Sequence, residues 1–211
     1  MNLRRGGEFS EYVDKTSSDI IKRYYAEKGF LLCKVEAEVQ KDSMVKNAIR
    51  VNFDVDRGER IRIKTIRLEQ SGRPKEAMSF ENINYSEILE EDDWYESRLY
   101  ELFTSRFLFI VFRNHGTASK SDYRLEKSFF WTMPYADLLD AEKYWQNIKD
   151  NVAANQIDPK YFYKLADKKK FHVRPKGRNA ADTVESPFGG QVKKYCYWFN
   201  NDYVSEIVAK G

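Results

Sequence analysis

The chain has 211 residues, 42% of them hydrophobic and 15% aromatic, enough for one mid-sized core or two small ones. A net charge of only +3, within a charged fraction of 33%, excludes a polycation, so any nucleic-acid surface has to be a local patch. No run approaches the ~18 apolar residues of a membrane span, and the first seven residues are polar and basic, so the expected location is the cytoplasm.

In chain order, Ile20, Ile21, Tyr24 and Tyr25 recur at helical spacing, which predicts a helix over 17–29, capped by Ser17 or Ser18 and ended by Gly29. Two alternating strands follow, 31–39 and 49–55, then a turn at Asp56–Glu59 and a third strand over 60–68. Ser71–Lys75 reads as a turn-rich basic loop. Asp92 or Asp93 is expected to cap one helix running through Trp94, Leu99 and Leu102. The apolar run 107–112 reads as a buried central strand, 113–122 as a polar loop and 123–131 as another strand. Leu138, Ala141, Trp145 and Ile148 mark one face of a further helix. Residues 151–170 read as loop or weak helix, and 193–199 as a strand before a short terminal helix. This irregular alternation predicts an α+β, or mixed α/β, fold. Cys33 and Cys196 lie in apolar alternations and read as reduced core thiols, from which no zinc site can be built.

The stretch from His172 to Thr183 carries the most chemistry. It reads as a loop stiffened by Pro175 and loosened by Gly177. His172, Arg174, Lys176 and Arg178 suit phosphates or guanine edges, Asn179 suits adenine, and Asp182 can orient a donor or read cytosine. Lys164, Lys168, Lys169 and Lys170 precede it, and Lys193 and Lys194 are expected to add backbone contacts. A solvated charge run is the competing reading. Trp198 and Phe199 sit on an alternating strand and read as core.

Two family resemblances overlap in the chain. Tyr24–Phe30, with its Tyr-Tyr-Ala-Glu-Lys-Gly-Phe string, and the Asp56-Arg57-Gly58-Glu59-Arg60 turn between strands resemble a POTRA repeat of the BamA type over residues 8–66. That resemblance implies a partial helix-strand-strand segment and, as partner, extended outer-membrane protein precursors bound at a sheet edge. From about Lys64 to the C-terminus, the His172 block resembles the MutH mismatch-repair nuclease and restriction enzymes that cut at GATC. Phe188-Gly189-Gly190, Lys193-Lys194 and Trp198–Asn201 carry the same likeness. This implies a restriction-endonuclease-like domain over 67–211 with a central mixed sheet, duplex DNA as partner and no small-molecule cofactor. It also implies Mg²⁺-dependent phosphodiester cleavage by an Asp and a Glu-x-Lys.

Here the acidic pattern breaks. Lys64 stands where the family lysine falls, but the residue two before it is Arg62, a cation that repels Mg²⁺. Lys64 then reads either as a catalytic remnant or as an exposed strand lysine. Lys127, ahead of Phe129-Phe130-Trp131, is the second catalytic candidate, or else a solvated strand position. No metal ligands are assigned. Because Ile63-Lys64-Thr65-Ile66 fits both resemblances, it reads as the junction of a fusion. The expectation is a MutH-like protein that binds GATC-type duplex DNA without cutting it; the alternative is an outer-membrane assembly module.

Overall fold

Helical spacing of Ile20, Ile21, Tyr24 and Tyr25 produces α1, Glu11–Glu27, in a computed structural model of the chain. The structure describes residues 11–41, 44–45, 48–116, 119, 122–179 and 181–211. The residue-8 start of the N-terminal segment, part of the 113–122 loop and Ala180 lie outside the described residues. Ser17 does not cap α1; it sits inside the helix and is buried. Gly29 follows with φ +91°, a left-handed conformation that favours glycine. β1 (Lys34–Lys41) then pairs antiparallel with β2 (Ile49–Asp56) from Lys34↔Asp56 to Lys41↔Ile49. The register sets Val35 opposite Val55, Ala37 opposite Phe53 and Val39 opposite Val51, so the alternation places apolar pairs on one face.

The chain divides into two compact units at Arg62/Ile63, and β3 (Ile61–Leu68) runs across that division. In the second unit β4 (Met78–Asn82) leads to α2 (Tyr85–Glu90), a helix that the hydrophobic pattern does not announce because it is only six residues long. Asn84 caps it, its side chain accepting from the Glu87 N–H. The single helix expected through Trp94, Leu99 and Leu102 is instead two pieces. Asp93 caps a 3-10 turn, Trp94–Glu96, and the Ser97 hydroxyl then caps α3, Arg98–Thr104, by accepting from Tyr100 N–H at 3.1 Å. β5 (Arg106–Asn114) and β6 (Tyr123–Trp131) pair antiparallel, and β5 is the middle strand of a three-stranded sheet ordered β3-β5-β6.

After α4 (Tyr135–Ala153) come β7 (Phe171–Pro175), β8 (Thr183–Glu185), β9 (Gln191–Lys193), β10 (Tyr195–Phe199) and α5 (Asn201–Lys210). The fold is mixed α+β, but the strands are shared among several sheets rather than gathered in one central sheet. The second three-stranded sheet is ordered β4-β10-β7, and β8 and β9 form a separate hairpin. The first third of the stretch read as a loop, His172–Pro175, is therefore strand. Long-range pairing with β10, from Tyr195↔Pro175 to Phe199↔Phe171, outweighs the local turn preference of its proline and glycine.

Period-two alternation decides what each side of that sheet does. Tyr195, Tyr197 and Phe199 on β10, with Phe171 and Val173 on β7, point into one core. Tyr144 and Ile148 from α4, Tyr203 and Ile207 from α5, and Phe107 and Phe109 from β5 fill it. Cys196 and Trp198 have the opposite phase and lie on the other side.

A part-buried ion cluster fixes the start of β7. Lys170 donates to Asp137 at 2.6 Å and to Asp140 at 3.0 Å, and the Tyr203 hydroxyl donates to Asp137 at 2.7 Å. The Asp137 bond is the main reason the Lys170 ammonium is held above its ordinary range, and burial against Asp137 pushes the Tyr203 phenol up as well. Lys170 is thus part of the scaffold joining α4 to α5, not of the basic block beside it.

Candidate nucleic-acid interface

The outward phase of β7 and β10 carries the predicted residues. His172 pairs in register with Trp198 and Arg174 with Cys196, so these four side chains share one side of the sheet. The His172 and Trp198 rings lie 6.1 Å apart and nearly parallel. Above the indole sit the Arg174 guanidinium, 5.0 Å from the ring centroid, and the Lys176 ammonium, at 5.7 Å. Trp198 is therefore not a core residue like Phe199 but the half-buried floor of a cationic patch. The signal was available in the sequence: Trp198 alternates out of phase with Tyr195, Tyr197 and Phe199.

Lys64 joins this patch. Its ammonium donates to the Ser79 carbonyl at 2.8 Å and lies 4.5 Å from the Phe80 ring centroid. Lys176 reaches the same two residues from the other strand, donating to Ser79 Oγ at 2.8 Å and to Phe80 O at 3.4 Å. Two ammonium groups converge on one dipeptide of β4. Lys64 is half-buried, not an exposed strand lysine. The Cys196 thiol donates to the same Phe80 carbonyl at 3.1 Å, and burial pushes it above its ordinary range against the opposing pull of Lys176 and Lys64, so it is an unreactive thiol.

Lys127 lies elsewhere. Its ammonium donates to the Val208 carbonyl at 2.6 Å, in the last turn of α5, where a cation satisfies the helix end. The structure does not bring Lys127 together with Lys64.

His172 is fully buried, and neither ring nitrogen has a hydrogen-bond partner among the described residues; the same holds for the Trp198 indole N–H. Burial, with Arg174 adding to it, pushes the imidazole down to about 4, so at neutral pH it is uncharged and acts as an apolar support for Trp198. The unfolded chain takes up a proton below its ordinary value of 6.5 while the folded one resists until about 4. Stability is therefore complete above pH 6.5, falls as pH drops through that window, and levels off below it. After allowance for solvent screening the expected loss is about 2 kcal/mol. Urea titrations at pH 7 and pH 4 should show a smaller acid loss for His172→Leu than for the unaltered chain; an equal loss would refute the assignment.

Beyond β7 the loop is held by its own acids. Asp182 accepts the Lys194 ammonium and the Arg178 backbone N–H, the latter at 2.8 Å, and Lys194 is the main reason its carboxyl lies below the usual range. The Asn179 side-chain oxygen accepts from the Ala181 N–H at 2.9 Å. The Thr183 hydroxyl bonds Gln191 at 2.8 Å across the β8–β9 hairpin. Asp182, Asn179 and Thr183 thus shape the loop, leaving its exposed cations Arg174, Lys176, Arg178 and Lys193 on the surface. Pro175, Gly177, Asn179, Asp182, Lys193 and Lys194 line a cleft of about 200 Å³ at its base.

The residues around Lys64 do not fit a divalent cation. Mg²⁺ requires oxygen donors, chiefly carboxylates, whereas Arg62 stands two residues before Lys64 and the Lys176 ammonium shares its carbonyl environment. Among the described residues no three His, Cys, Asp or Glu side chains gather as a possible metal site. Glu81, next to Phe80, is held by Arg98 at 2.7 and 2.9 Å. No described helix is long and apolar enough to cross a membrane.

No curated protein matches the chain. The family model for the DNA mismatch repair enzyme MutH does, over residues 45–142, a span that includes Arg62–Arg67, where the two resemblances meet, and ends before the His172 block. Over residues 45–142 the chain is therefore similar to MutH, a family of nucleases with the restriction-endonuclease-like fold.

Proposed function

We propose that this protein binds duplex DNA through the face of β7 and β10 floored by Trp198, with a GATC-type site as its preferred sequence, and that it does not cleave. One observation carries the reading: Lys64, distant in sequence from Arg174 and Lys176, converges with them around Ser79, Phe80 and Trp198. Phosphate oxygens are the anions that such a row suits, and Arg174 or Arg178 is the arginine expected to read a base edge. The likeness to MutH supports DNA as the partner. Arg62 supports loss of cleavage, because it puts a cation where the resemblance expects the metal-binding glutamate. The cytoplasm is the corresponding place of action.

Counterion release gives the test. Titration of a labelled GATC duplex at increasing salt should give log K falling linearly with log salt, with a slope of about −3 to −4 for three or four phosphate contacts. A slope near zero would refute the electrostatic surface.

A second reading rests on the first unit. β1 and β2 pair only with each other among the described strands, which leaves a backbone edge able to accept an extended polypeptide, as in POTRA-type assembly modules. Capture of unfolded outer-membrane protein segments by residues of this hairpin, abolished by Val39→Pro, would favour it.

A further inference from the structure

We infer that the β8–β9 hairpin carries Phe188 into the major groove of duplex DNA, as an apolar contact to the C5-methyl groups of thymine. The inference rests on the duplex-DNA reading above.

The hairpin is fixed at its base and open at its tip. Val192 packs against the core, and the Tyr85 hydroxyl donates to the Lys193 carbonyl at 2.7 Å. At the tip, Ser186 N–H donates to Gly190 O at 2.9 Å, Gly189 N–H to Ser186 O at 2.9 Å, and Phe188 N–H to Ser186 Oγ at 3.2 Å. Gly189 and Gly190 have φ of +86° and +81°, and a Cβ on either would meet nothing within 4 Å. The turn is ordered by its own hydrogen bonds around the buried Ser186, and its two glycines face open space. Phe188 is 50% exposed there, an aromatic ring that the core does not use.

Charge identifies what it meets. Residues 174–194 hold five cations, Arg174, Lys176, Arg178, Lys193 and Lys194, against two carboxylates, Asp182 and Glu185. An apolar tip framed by an excess of positive charge suits a polyanion that also offers apolar groups. Duplex DNA is such a polyanion, because thymine displays a methyl group in the major groove. Size points the same way. Two strands about 4.8 Å apart with their side chains make a ribbon that fits a groove about 12 Å wide but not one of about 6 Å.

The test uses the full chain and two short duplexes of one GATC-containing sequence, one with thymine and one with uracil throughout. Half-burial of a phenyl ring predicts about fivefold tighter binding of the unaltered chain to the thymine duplex. Phe188→Ala should bind that duplex about fivefold more weakly, lose the thymine preference, and keep the salt dependence, since no phosphate contact is removed. Phe188→Leu should retain most of the preference. Binding of Phe188→Ala equal to that of the unaltered chain, or an undiminished thymine preference, would overturn the inference while leaving the duplex reading intact. No binding of either duplex by the unaltered chain at low salt would overturn both. A change in sedimentation of Phe188→Ala with unaltered DNA binding would assign the tip to self-association, again against the inference.

Discussion

Phe199→Ala is expected to cost about 3–5 kcal/mol, a large fraction of the 5–15 kcal/mol that holds an ordinary domain together. Phe199 is fully buried on β10 and its ring meets those of Phe80, Phe103, Phe171, Trp131 and Tyr203 at centroid separations of 4.4 to 6.3 Å. These partners come from five different elements or their edges, so no single shift can close the cavity left behind. Truncation thus removes the transfer energy of the ring and leaves a void, and both terms destabilise. Urea denaturation should show the midpoint lowered with an unchanged slope. A loss below about 1 kcal/mol would mean that the β4-β10-β7 sheet is not packed as described. The neighbouring Trp198 makes the contrast: on the opposite phase of the same strand, Trp198→Ala should weaken DNA binding more than it weakens folding.

Arg174→Ala combined with Lys176→Ala should reduce affinity for duplex DNA by roughly 10- to 100-fold at low salt and make the salt slope shallower by about two. Both side chains are exposed and both overlie Trp198, so the substitution removes charge from the surface without opening the core. The Lys176 bonds to Ser79 and Phe80 are lost as well, but these are part-exposed and contribute little beside the charge effect. Lys127→Ala is the matched control. It removes one cation of the same charge from the end of α5, and DNA binding should be unaffected by it. Equal loss per charge removed in the control and the double variant would mean that binding follows total charge and not this patch.

Much of the secondary structure was legible because burial follows period. β6 forms over the expected residues, and the apolar run in β5 is the middle strand of its sheet, with Phe107, Phe109 and Val111 buried. Other elements depended on single side chains. The Ser97 cap divided a helix that apolar spacing alone would have kept whole, and α2 is too short to show a period. The His172 stretch misleads most. Pro175 and Gly177 speak for a loop, and only pairing with β10, twenty residues further on, makes its first third a strand.

The basic residues of the site could be listed from sequence, but their grouping could not. Nothing local joins Lys64 to Lys176 or separates both from Lys127; that sorting comes from which carbonyl each ammonium reaches, Ser79 and Phe80 for the first two and Val208 for the third. Likewise Asp182 and Asn179, read as possible base contacts, and Thr183, the candidate DNA-binding residue that ends the stretch, direct their acceptors or hydroxyl to the loop itself. The likeness to MutH spans residues on both sides of the Ile63–Ile66 junction, and the chain's two units divide at Arg62/Ile63.

The most direct measurement incubates the unaltered chain with a GATC-containing duplex at low salt with Mg²⁺ and follows binding and strand integrity in the same samples. A retarded complex with both strands intact is the predicted result. Absence of a complex, or strand cleavage at the site, would contradict it.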